Sequence, residues 1–243
     1  KSKRFKILMF VPLAIAAVGL IGALLSLSLF PGNAEKYATI LQTEETDFAT
    51  DIQEVNYSEI PFIDRDSAML LGNRTMGAMA DYVSQYVIDD IYTQINYQDS
   101  PVRVSPLNYA DLFKWWSNKE TGIPGYVIVN MSTQDTQIVR LDDPIYYSDS
   151  DPLFNNVDRH VQLKYPFYIL GEKSFEIDDN GKPYWIYPVM DYKVGLFGGQ
   201  TVSRIILCDA NTGECQDIAI EDVPQWIDRA YPAELLIEQY NWS

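Results

Sequence analysis

Histidine occurs once and cysteine twice in the 243 residues, and lysine with arginine supplies only 18 cations against 34 acids. Each shortage excludes something. One histidine and two cysteines leave little for a zinc site of the usual ligand types, and any histidine-based triad would have to use His160. That residue sits on a segment with helical character and no nucleophile motif, so it reads as a packing or surface residue. A net charge of −16 argues against nucleic-acid binding, which needs a surplus of Lys and Arg to neutralise phosphates. Gly195, Gly198 and Gly199 lack the Lys-Ser/Thr that follows a phosphate loop. No cofactor or metal is implied.

What is present begins with one long apolar run. From Ile7 to Phe30 the chain carries no charged side chain, and these 24 residues are enough to cross a hydrocarbon core of roughly 30 Å as a helix. Lys1, Lys3, Arg4 and Lys6 precede it with no acid among them, which predicts a cytoplasmic stub, a single membrane pass and an extracytoplasmic remainder. With those four cations set aside, 14 basic residues face all 34 acids, so the remainder carries −20 against +4 for the stub. A retained anchor is favoured over a cleaved signal peptide, whose apolar region is normally shorter; Gly32-Asn33-Ala34 would be the cleavage region of the alternative.

The expected organisation is a stub over residues 1–6, a transmembrane helix over 7–30, an acidic stalk over 31–57, and two α+β units over 58–146 and 147–222. A C-terminal helical segment, or a linker to further sequence, over 223–243 completes it. In the first unit, a helix follows the Asp64–Asp66 start signal. A hairpin pairs 91–97 with 102–104, and Asn108 caps a helix whose stripe Tyr109, Leu112, Phe113 and Trp116 should face the core. A second hairpin pairs Tyr126–Val129 with Gln137–Leu141. In the second unit, a helix over Asn155–Lys164 precedes Phe175–Ile177, which pairs with Pro183–Tyr187. A loop over Lys193–Gln200 then leads to Arg204–Cys208, which pairs with Cys215–Ile220. Pro224 and Pro232 each head a helical stretch.

At an offset of 79, Tyr126–Leu141 and Ile205–Ile220 match in pattern, Asn130 with Asp209, Thr133 with Thr212, Asp135 with Glu214. The match predicts a duplicated unit, each copy a helix packed on a four-stranded antiparallel sheet. The string Ile205-Ile206-Leu207-Cys208-Asp209-Ala210-Asn211-Thr212-Gly213-Glu214 resembles the closing hairpin of the PepSY domain, a cystatin-like fold. An N-terminal span followed by two such units is similar to single-span envelope proteins of Gram-positive bacteria. The resemblance implies a binding or inhibitory module and brings no catalytic residues.

Cys208 and Cys215 flank the turn at Asn211-Thr212 and stand opposite each other in that register. They either form a disulfide, as an oxidising exterior permits, or remain two thiols on one strand face. Asp149-x-Asp151 and Asp178-x-Asn180-Gly181 fail the calcium-loop pattern at Leu153 and Lys182 and read as turns with solvated carboxylates. The 17 tyrosines and 5 tryptophans exceed what two small cores need. Trp115, Tyr146, Tyr147, Tyr184 and Trp185 are therefore candidate partner contacts. Together these features point to a non-enzymatic membrane-anchored module that binds another envelope protein, a protease or a wall-synthesis enzyme. Two alternatives stand beside it: a carboxylate-dependent wall-glycan hydrolase, and a spacer for a domain beyond residue 243.

Overall fold

Local chemistry sets most element boundaries. The computed structural model describes residues 2–43, 47, 50, 56 and 60–242, with side chains in the first helix described from Phe10 onward. Helix α1 (Ser2–Leu25) ends five residues before the expected Phe30, and after a short turn α2 (Asn33–Ala38) follows. The rest of the expected stalk, from 44 to 59, lies largely outside the described residues, as do the side chains of the basic stub. Helix α3 (Arg65–Gly77) starts where the Asp64 carboxylate accepts the Ser67 amide at 2.7 Å, and α4 (Ala80–Val83) is a single turn.

Strands β1 (Tyr86–Ile88), β2 (Thr93–Tyr97) and β3 (Ser100–Tyr109) come next. The β2–β3 hairpin closes through Gln98 and Asp99, both at positive φ, which is the two-residue turn whose twist matches paired strands. Helix α5 (Leu112–Asn118), β4 (Ile123–Asn130), β5 (Thr136–Ile145) and α6 (Val157–Lys164) follow. The second sheet is β6 (Ser174–Ile177), β7 (Pro183–Val194), β8 (Gly198–Asp209) and β9 (Cys215–Ala219). A 3₁₀ turn, Ile220–Asp222, and α7 (Ala233–Tyr240) close the chain. Both sheets are antiparallel, the first ordered β1-β3-β4-β5 with β2 also on β3, the second β6-β7-β8-β9. The α+β class is thus observed; the first sheet has five strands rather than four.

Three expectations need correction. Asn108 lies inside β3, paired with Val87, and the α5 cap is Asp111. The segment Lys193–Gln200 is no long loop, because β7 and β8 run to Val194 and from Gly198 and leave only the tip 195–197. No helix follows Pro224, where only the Ile227 amide turns back to the Pro224 carbonyl, whereas the helix after Pro232 is present.

The chain divides into two compact units. One comprises 48–189 with 204–230, the other 1–47 with 190–203 and 231–243. In the first, one apolar cluster joins Val104, Leu107 and Tyr126 of the first sheet to Phe175, Trp185 and Ile206 of the second and to Val157 and Val161 of α6. The segments expected as two separate units therefore share a core. Helix α3 packs Ala68 on the other face of the first sheet, against Val127 and Val129, and Gly72 keeps that approach open because a Cβ there would overlap the Tyr92 hydroxyl. In the second unit, α1 carries apolar side chains exposed on every side from Phe10 to Leu25. Among the described residues no helix is long and apolar enough to cross a membrane. The described side chains of α1 number sixteen, about 24 Å of helix, whereas a span takes about 20 residues.

Candidate functional site

One apolar exposed surface of the larger unit is built around a helix cap and a buried carboxylate. Asp111 Oδ1 accepts the amides of Phe113 and Lys114 at 2.8 and 2.9 Å and so caps the first turn of α5. Trp115 points inward, where its indole N–H donates to Asp151 Oδ2 at 2.8 Å. The buried Asp151 also accepts the amides of Leu153 (2.7 Å) and Asn155 (3.3 Å) through Oδ1, which pins the 151–155 loop beside the helix. The rest of α5 then faces solvent: Leu112 is 67% exposed, Phe113 83%, Trp116 66%, and Phe154 on the pinned loop 87%.

This reverses the sequence expectation for the stripe. Tyr109 is buried, but as the last residue of β3, opposite Tyr86; Leu112, Phe113 and Trp116 are on the surface, and the core-facing ring is Trp115. Between helix and loop lies a depression of about 440 Å³, walled by Trp115, Lys119, Tyr146, Leu153 and Phe154. Lys119 Nζ stands 4.2 Å from the Trp116 ring centre, so this cation lies on an aromatic face. The result is an anchor-and-pocket surface, apolar in the middle with amide and carboxylate groups at its edge, of the kind proteins bury against one another.

The other candidate contact residues are scattered. Tyr146 lines the depression. Tyr147 is half-buried, its ring 4.6 Å from that of His160, and Tyr184 is half-buried beside Trp226. Trp185 is fully buried against Phe175 and belongs to the core, so it is not available to a partner in this fold. Phe113 and Trp116 are missed by the sequence reading because helical spacing alone cannot say which side of a short helix faces inward, and Phe154 because a loop residue carries no spacing signal.

Cys208 and Cys215 are joined by a disulfide across the β8–β9 ladder, where they are register partners. His160 lies beside them, its Nε2 2.8 Å from the Gly213 carbonyl, and the three side chains bring their ligand atoms within 4.8 Å. This group fits a metal poorly. Metal ligation needs thiolates, and both sulfurs are in the bridge, while the histidine nitrogen nearest the carbonyl serves as its donor.

Several acidic side chains are tied into the scaffold. Lys173 bridges Asp149 (2.9 Å) and Asp158 (2.8 Å), and Asp158 also takes the Tyr187 hydroxyl at 2.6 Å. Burial pushes the Asp149 carboxyl above its usual range; for Lys173 burial acts downward, but the hydrogen bonds to Asp158 and Asp149 outweigh it and hold the ammonium form. Asp209 pairs with Lys182 and caps its own turn through the amides of Asn211 and Thr212. Glu176 accepts the Ser174 hydroxyl and the amides of Asp228 and Arg229 at 2.8–3.1 Å. A second groove, of about 490 Å³, runs over the first sheet past Tyr97, Gln98, Ile128 and Gln137.

The chain matches no protein-family model, no curated protein and no solved structure.

Proposed function

We propose that the protein is a membrane-anchored, extracytoplasmic binding module without chemistry of its own. It presents the outer face of α5 and the 151–155 loop to another envelope protein, a protease or a wall-synthesis enzyme. The observation that carries this reading is the set Leu112, Phe113, Trp116 and Phe154, four large apolar side chains left in solvent by a scaffold that uses a buried carboxylate to hold them there. Large apolar patches on a rigid surface mark contact sites.

Anchoring rests on the uncharged run Ile7–Phe30 with its four preceding cations, and on the side chains of α1 from Phe10 to Leu25, which are apolar and exposed on every side. The duplicated PepSY-like unit belongs to the same reading. Its support is that the turns 130–135 and 209–214, offset by 79, make the same hydrogen bonds. In each, the first side chain caps the amides two and three residues on: Asn130 to Ser132 and Thr133, Asp209 to Asn211 and Thr212. In each, the last amide of the turn returns to a threonine hydroxyl, Asp135 to Thr133 and Glu214 to Thr212.

A photo-crosslinking amino acid at position 113 or 154, expressed in intact cells, tests the proposal. A discrete adduct with a second protein is the expected result at both positions. Adducts only between copies of this chain, or none, would overturn it.

A further inference from the structure

The end of α1 is closed off in a way a flexible tether does not need. The last four carbonyls of a helix have no partner within it and usually turn to water. Here all four are taken by protein groups: Gly22 by the Ser26 hydroxyl (2.7 Å), Ala23 by the Ser26 amide (3.1 Å), Leu24 by the Leu27 amide (3.3 Å) and Leu25 by the Asn33 side-chain amide (2.8 Å). The next two carbonyls are met as well, Ser26 by the Tyr37 hydroxyl (2.6 Å) and Leu27 by Asn33 (3.0 Å). Ser26 Oγ in turn accepts the amides of Leu196 and Phe197, at 3.0 and 3.1 Å, so the tip of the β7–β8 hairpin is fastened to the helix end. Gly198 lets this happen, since a Cβ there would overlap the Tyr37 hydroxyl.

Around this satisfied backbone the side chains are apolar and point outward. Leu29 is 92% exposed, and Leu27, Phe30, Leu196 and Phe197 each expose about half their surface. Charges begin just behind the tip, where Lys193 pairs with Asp191 at 2.6 Å, and in α2 with Glu35 and Lys36. Satisfied backbone inside an apolar shell, with ionic groups a few residues away, is what the edge of a hydrocarbon layer demands. A protein partner would cover one stripe of α1; apolar side chains exposed on every side require an occupant that surrounds it.

We infer that the β7–β8 tip (Leu196, Phe197) and the α1–α2 turn (Leu29, Phe30) form one foot set into the lipid surface. The smaller unit is thereby seated on the bilayer rather than hung from a loose stalk. The inference rests on the anchor reading and adds to it a second point of lipid contact, 170 residues away in sequence from Ser26.

The test labels the full chain with the environment-sensitive fluorophore NBD at a single introduced cysteine, Phe197→Cys or Leu29→Cys, the native pair being held in its disulfide. The protein is reconstituted into vesicles of phosphatidylcholine and phosphatidylglycerol. Flotation with the vesicles comes first, and failure to float removes the anchor and the foot together. For protein that floats, the expected result at both positions is quenching by doxyl-labelled lipid and protection from aqueous iodide. Quenching at position 197 by iodide and not by doxyl lipid overturns the foot and leaves the anchor standing. Leu29→Cys separates a damaged hairpin from a wrong placement, because doxyl quenching at 29 with iodide quenching at 197 rejects the hairpin's share specifically.

Discussion

Glu176 should make the protein lose stability as the pH rises from about 4.5 to neutral, against the usual behaviour of carboxylates. It is fully buried on β6, and burial pushes its pKa up to about 7 despite hydrogen bonds from the Asp228 amide, the Ser174 hydroxyl and the Arg229 amide. The unfolded chain would titrate near 4.5. Between those values the folded state binds the proton more tightly than the unfolded state does, so stability from this group is complete below pH 4.5 and is lost as pH rises to 7. Holding a proton across that interval of pH is worth about 1.4 kcal/mol per pH unit, so the loss is about 3 kcal/mol, a large share of a domain's total stability.

Other carboxyls act in both directions. Asp64 and Asp191 are held below their usual range and contribute stability that vanishes in acid, while Asp228 is raised by burial and adds to the Glu176 effect. The comparison that isolates Glu176 is therefore wild type against Glu176→Gln at two pH values, measured by urea unfolding of the full chain in detergent micelles and read by tryptophan fluorescence. At pH 5 both side chains are neutral and the variant should fall within about 1 kcal/mol of wild type. At pH 8 the difference should have moved by about 3 kcal/mol in favour of glutamine. A difference that stays constant to within about 0.5 kcal/mol across this range would refute the reasoning.

Three further outcomes follow from single contacts. Asp151→Ala strips the Trp115 indole and the Leu153 and Asn155 amides of their acceptor, and should lower stability by about 1–3 kcal/mol for each donor left buried, with crosslinking from position 154 lost before that from 113. Ser26→Ala should speed hydrogen exchange at the Leu196 and Phe197 amides, whose acceptor it removes, while amides of the first sheet stay protected. Replacing both cysteines by alanine opens a loop of only seven residues' separation, so urea titration should show a loss of about 2 kcal/mol and a protein that still folds.

Where sequence and structure agree, the information is local. Asp64 and Asn156 each cap the helix that follows by accepting an amide three residues on, and the hairpin strands alternate because one face is wet. The turns 130–135 and 209–214 match in sequence because the same side-chain types cap the same amides. Where they disagree, a distant group decides. After Pro224 a helix is a fair expectation, but the amides of Asp228 and Arg229 that it would use are claimed by Glu176, 52 and 53 residues earlier in the chain. The Gly-rich segment near 195 reads as a loop, and strands extend to either side of a three-residue tip whose amides bind Ser26.

The same logic explains how the candidate site hides in the expected core. Asn108 and Asp111 are both good caps, three residues apart, and nothing local ranks them. The choice falls to β1, which pairs Val87 with Asn108 and Tyr86 with Tyr109 and so keeps both residues in the strand. Asp111 then caps the helix, and with Tyr109 removed from it, the rest of the stripe has no reason to face inward. Trp115 takes the inner position because Asp151 offers its indole a buried acceptor, which the neighbouring Trp116 on the outer side does not reach. Removing the Asp111 cap would test this directly. Asp111→Ala should cost about 1 kcal/mol by losing the Phe113 and Lys114 hydrogen bonds, yet leave Trp115 buried, because the ladder with β1 and the Asp151 bond still set the phase. If the variant instead buried Trp116, as iodide quenching of single-tryptophan versions would reveal, the cap alone would be the determinant and the account of the exposed face would fail.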